Sequence, residues 1–226
     1  MLKAILQALS ARNLLVPAVE RTEHALGSAR HICDSALGAL FDGVEPERDV
    51  YSADHELNKA EIDVRRMCVE HLVARPQGDL ATAVVLLAVI VDIERIGDYA
   101  KNLYELRPRL QGDWPEKPPF DELRSMRDDL HEMFDDAMAG LTSADRVRAT
   151  AVMDHHAEFT RRCEHIVDAL LKPSGLTERE AIVGALAARY MKRIGAHLSN
   201  LASSVVNPYD RIGYRYDAAT DTTFEL

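Results

Sequence analysis

Glu94 and Asp98 stand four residues apart in the stretch VDIERIGDYAKN, 91 to 102. On a helix that spacing puts both carboxylates on one face, one turn apart, at a cost of a few tenths of a kcal/mol unless something positive covers them. Two readings are open. In the first, Arg95, three residues before Asp98 and three after Asp92, neutralises the face locally, as on many acidic helix surfaces. In the second, carboxylates from two neighbouring helices hold a hard or borderline metal ion of the Mg, Mn, Ca or oxidised-iron type. The preceding helical stretch supplies partners, because Asp54, Asn58 and Glu61 share a face at four- and three-residue spacing. Counting outward from a turn at 76 to 79 brings Glu94 level with about Glu61 and Asp98 with about Asn58, with Asp54 a turn beyond. The expected metal-ligating set is therefore Glu94, Asp98, Asp54, Asn58 and Glu61, and the expected ion is iron or another divalent or trivalent metal at one acidic site.

Between the acids lies Gly97, which costs about 1 kcal/mol relative to alanine inside a helix. Close approach by another helix is its expected role. The outline recurs in RYMKRIGAHLSN, 189 to 200: Arg95-Ile96-Gly97 and Arg193-Ile194-Gly195 lie 98 positions apart, Asn102 and Asn200 follow at equal distance, and Asp54 and Asp154 are 100 apart. A duplicated three-helix unit accounts for this economically. The second copy carries Lys192 and Ala196 in place of the two acids, and a charged lysine is a poor ligand. Any second metal site is expected to be lost, and Lys192 becomes a candidate counter-ion for Glu94 or Asp98 if the two helices meet across the repeat axis.

The elements that must position these residues are helices. Apolar residues recur at helical spacing through most of the chain, without sustained strand alternation. After a short opening helix, Pro17 is expected to break or kink the chain before a helix to about 41; further helices are expected at about 51 to 74 and 79 to 106. Four prolines and a glycine at 108 to 120 mark a linker. Beyond it three more helices are expected, with Ser143 as N-cap of the second and Thr177 with Glu180 as a capping box opening the third. The fold class is all-α, two tandem three-helix bundle repeats packed side by side: 1–111 with the short N-terminal helix, a Pro-rich linker 112–120, a second repeat 121–207 and an irregular tail 208–226. In that tail Tyr209, Tyr214 and Tyr216 either cover a bundle end or meet a partner.

Composition narrows the function classes. Of 226 residues, only 11 are glycine and 9 proline, and 6% are aromatic, which suits packed amphipathic helices. A formal charge of -10 disfavours broad attraction to nucleic acid or anionic lipid. Cys33, Cys68 and Cys163 stand singly, as reduced core thiols of a cytosolic protein do. The amino terminus lacks the cleavage site of a signal peptide. The longest apolar run, 81 to 91, is well short of the roughly 18 to 20 residues a membrane span needs. No HExxH, Gly-rich phosphate loop or Glu-x-x-His pair appears. The DHH at 154 to 156 is a weak echo of a phosphoesterase signature; His155 is expected to pack against a helix and His156 to be solvated.

VDIERIGDYAKNLYEL, the upstream ADHELNKAEID, the turn and helix RPQGDLATAVVLLAVI and the duplicated YMKRIGAHLSNLASSVVNP together resemble the PhoU family, over about residues 15 to 208. The resemblance implies two three-helix bundles side by side in a cytoplasmic, often homodimeric protein without enzymatic activity. It implies negative regulation of phosphate uptake by contact with a phosphate transporter component, of ABC or sodium/phosphate type, and/or a membrane histidine kinase. It also implies, for some members, multinuclear iron or other metals on acidic Glu/Asp-x-x-x-Asp motifs, which only Glu94 to Asp98 matches in the expected helix. A metal-binding helical bundle without a regulatory role is the alternative.

Overall fold

The computed structural model describes residues 14–75, 79–172, 175–217 and 222–225. Helices α1 (Leu15–Asp42), α2 (Val50–Ala74) and α3 (Leu80–Tyr104) form one bundle; after the short α4 (Arg107–Leu110), α5 (Pro118–Ser143), α6 (Arg146–Leu170) and α7 (Glu178–Val206) form the second. The all-α, twice-three-helix architecture is the expected one. The short opening helix falls outside the described residues.

Local chemistry sets the helix ends. Pro17 sits in the first turn of α1, where its missing N–H has no intrahelical acceptor to lose, and the residues before 14 lie outside the described ones. Gly43, in the left-handed conformation at φ +67, closes α1 by returning its N–H to the Gly38 carbonyl. Asp49 accepts from Ser52 N at 2.8 Å to start α2. Asp145, not Ser143, caps α6, accepting from Val147 N and Arg148 N; Ser143 is the last residue of α5. A hydroxyl two residues earlier cannot compete with a carboxylate already within reach of both amides. Thr177 and Glu180 form the expected capping box on α7.

The proline-rich stretch is pinned rather than loose. Pro118 and Pro119 open α5, and buried Trp114 donates to the Phe120 carbonyl at 3.0 Å while packing edge-on against Phe41 and Phe120. One continuous core runs through both bundles. It is joined where α3 packs on α7, and along α1 and α5 by charged pairs, Arg30 with Asp135 and Arg127 with Asp42. The tail is not irregular throughout. A 3-10 turn (Tyr209–Arg211) leads to an antiparallel pair, β1 (Tyr214–Asp217) and β2 (Thr222–Glu225), with Tyr214 opposite Glu225. The Asn207 amide donates to the Arg211 and Tyr214 carbonyls, and Ser203 Oγ accepts from Gly213 N, so side chains at the end of α7 fold the tail back. Tyr209 and Tyr214 remain exposed, and the side chain of Tyr216 lies outside the described residues.

The two helix glycines do what close packing requires. A Cβ on Gly97 would overlap a δ-methyl of buried Leu57 on α2, and one on Gly195 would lie 3.2 Å from Phe159 Cδ1 and 3.5 Å from His156 Cδ2 on α6. His156 is therefore buried, not solvated. Its Nε2 lies 3.1 Å from Thr160 Oγ1, whereas His155 is half-buried beside Asp129 on α5 at 3.3 Å. Burial, and secondarily the Lys192 charge, pull the His156 imidazole down to about 4.

Gly97→Ala is expected to lower unfolding free energy by about 1–2 kcal/mol, overpacking outweighing the gain in helix propensity. In a Leu57→Ala background the same change should become stabilising, and Gly38→Ala, whose Cβ meets open space, should stabilise by up to about 1 kcal/mol. Urea denaturation of the set reads these signs. For His156, the unfolded chain takes a proton from about pH 6.5 downward while the folded chain resists it until about 4. Stability should fall with pH across that window by on the order of 3 kcal/mol. His156→Gln should flatten that part of the urea-midpoint profile against pH.

Candidate functional site

The acidic face is built by the α2–α3 hairpin. Gly97 lets α3 settle against Leu57, and this fixes the register that lays Asp54, Asn58 and Glu61 alongside Glu94 and Asp98. Glu61 is close enough for its charge to disfavour the ionised form of Glu94. Burial pushes the Glu94 carboxyl above its ordinary range, and the negative charges of Asp98 and Glu61 add to that, against the lowering effect of Arg95. Asn58 is half-buried between its two acidic neighbours on α2.

Cations of the chain itself cover this face. Lys101 Nζ lies 2.7 Å from Asp54 Oδ2 on α2 and 3.2 Å from Asp98 Oδ1 on its own helix. Burial works against the ammonium, but the bonds to Asp54 and Asp98 prevail, and its pKa is raised. Arg95 reaches Asp98 at 3.2 Å and Glu94 at 3.5 Å, and Arg65 holds Glu61 at 3.0 Å. Each carboxylate of the set thus has a basic partner. Among the described residues no three His, Cys, Asp or Glu side chains gather as ligands for a metal ion. As arranged, the face does not offer a metal an open ligand set.

Lys192 is not the counter-ion. Its ammonium bonds Glu164 on α6 at 2.6 Å, because position 192 of α7 faces its own hairpin partner while 193 and 197 face α3. The contact across the repeat axis is made by other residues. Asp92 Oδ1 lies 2.8 Å from His197 Nδ1 and accepts from Asn200 Nδ2 at 3.2 Å; His197 stacks on Tyr99 with centroids 5.7 Å apart, and Arg193 donates to the Tyr99 hydroxyl at 3.3 Å. Sequence reasoning placed Asp92 near Arg95 and did not see this seam. Its only signal was the matched pair Asn102 and Asn200. Lys101 was legible on the acidic face, three residues after Asp98, but its bond to Asp54 depends on the hairpin register.

Comparison with known proteins agrees with the duplicated architecture. The PhoU domain family matches twice, over residues 22–106 and 123–205. A protein of Aquifex aeolicus described as a phosphate-specific transport system accessory protein PhoU homolog is 28% identical over 124 residues; the match spans 54% of this chain and 56% of that relative's length. A Synechocystis protein of the same description is 25% identical over 181 residues, 74% of this chain and 76% of the relative. The crystal structure of PhoU from Pseudomonas aeruginosa shares the fold with a TM-score of 0.68 at 22% identity, covering 91% of this chain and 97% of that one. The phosphate transport system regulatory protein PhoU from Streptococcus pneumoniae does so with a TM-score of 0.66 at 12% identity, over 91% and 95%. With the family matched in both bundles and its fold shared along nine-tenths of the chain, this protein belongs to the PhoU family.

Proposed function

We propose that this chain is a regulator of phosphate transport that lowers phosphate uptake by protein contact, engaging a phosphate transporter component, a sensor histidine kinase, or both from the cytoplasmic side. The observation that carries this reading is the double PhoU domain match, together with relatives described as accessory proteins of phosphate-specific transport systems. A non-enzymatic role is supported by the state of the groups best suited to nucleophilic chemistry. Cys33, Cys68 and Cys163 are buried, and burial raises all three thiols, Cys163 up to about 12, so the thiolate is disfavoured. His156 is enclosed by α6 and α7 packing. No helix among the described residues is long and apolar enough to cross a membrane, which is consistent with action through membrane-bound partners.

Deleting the gene in its own organism should raise phosphate uptake several-fold in phosphate-replete medium and switch on starvation-induced genes there. Re-expression of the full chain should restore repression. Unchanged uptake and unchanged starvation reporters in the deletion strain would rule the regulatory reading out.

A further inference from the structure

We propose that the acidic face between α2 and α3 is a cation site whose resident cation is the Lys101 ammonium, so that this protein ties the two helices without a metal and admits a divalent metal only when that ammonium is removed.

Lys101 differs from the other cations of the face. Arg95 and Arg65 pair with acids of their own helix and keep about half of their side chains in solvent, 54% and 50%. Such pairs hold little and exchange readily with water. Lys101 is 21% exposed and alone joins the helices, with Asp54 of α2 at 2.7 Å and Asp98 of α3 at 3.2 Å. An ammonium presents three donors to whatever acceptors surround it. Its position between carboxylate oxygens from two helices is where a bridging ion would stand, since hard cations sit about 2.0–2.6 Å from such oxygens. A metal and the ammonium cannot both occupy that place, because at a few ångströms two positive charges in a half-buried groove repel strongly.

Removing the ammonium changes the balance. Asp54 and Asp98 then face each other across the hairpin with no cation bridging them, and Glu94 lies one turn along the same face. Asp54, buried on α2, and Asp98, half-buried on α3, supply oxygen ligands of the type that suits Mn, Mg or oxidised iron. The proposal stands apart from the regulatory reading: unchanged phosphate uptake in a deletion strain would leave it intact.

The test uses full-length protein stripped with chelator and then titrated with Mn2+, read by calorimetry, elemental analysis and thermal unfolding. Wild type should bind no stoichiometric Mn2+ and keep its Tm. Lys101→Met should unfold at lower temperature without metal and take up Mn2+ stoichiometrically. At roughly a hundredfold its Kd, Mn2+ should raise the Tm of Lys101→Met by about 5–10 °C. Lys101→Met with Asp98→Asn should lose both uptake and rescue, and Lys101→Arg, which keeps the charge, should stay metal-free. If Lys101→Met folds only when refolded with Mn2+, the proposal is supported in the same sense. Stoichiometric Mn2+ on wild type that Asp98→Asn abolishes would overturn it, as would a folded Lys101→Met that takes up none.

Discussion

Both bundles depend on one constraint: α3 and α7 must each pack on their own two partners and on each other. Such a helix has almost no surface left for water. From 83 to 104 on α3, Arg95 is the one exposed residue, and from 190 to 206 on α7 it is Arg193, the equivalent position of the other repeat. The charged side chains on these stretches therefore pair inside the protein, since an unpaired half-buried charge is costly. Asp92 does so with His197 and Asn200, and Asp98 with Lys101 and Arg95. The ion pairs of the central helices are thus a consequence of burial on three sides.

The same constraint explains the glycines. Each central helix must let its hairpin partner come close while also bearing on the other bundle, and removing one side chain achieves this without bending the helix. Gly97 accommodates Leu57 and Gly195 accommodates Phe159. The loss of about 1 kcal/mol in helix propensity at each is offset by the apolar contact it permits, since a fully buried Leu or Phe contributes roughly 1.5–3 kcal/mol. The hairpin register then follows, and with it the alignment of α2 acids beside α3 acids.

Much of this was legible because it is periodic. Helix positions, the hairpin turn, the capping box at Thr177 and the placement of Glu94 and Asp98 alongside the Asp54, Asn58 and Glu61 face all follow from counting residues along regular helices. What counting could not supply was the neighbour on the far side of a face. Lys192 and Arg193 differ by about 100° around α7, so one turns to α6 and the other to α3, and sequence alone does not say which. His156 was placed in solvent for the same reason, whereas it is buried against α7. At Ser143 and Asp145 two good capping residues compete within one turn, and the winner is set by where α5 ends. The tail's strand pair needs Asn207 and Ser203 to fold the chain back, and no periodic pattern announces that.

The asymmetry between the repeats has a physical reading. In α3 the hairpin-facing positions carry Glu94 and Asp98, and α2 answers with Asp54, so the pair needs a bridging charge and finds it at Lys101. In α7 the equivalent positions carry Lys192 and Ala196, and Lys192 pairs with Glu164 near the surface, where such a bond is worth about 0–1 kcal/mol. The second hairpin is held instead by Phe159 and His156 packed on Gly195. Since both hairpins keep the glycine contact within their apolar packing, the charges beside it can diverge while that packing is kept. The chain therefore keeps Arg-Ile-Gly in both halves while only one half keeps a face on which Coulombic attraction must balance two opposed carboxylates.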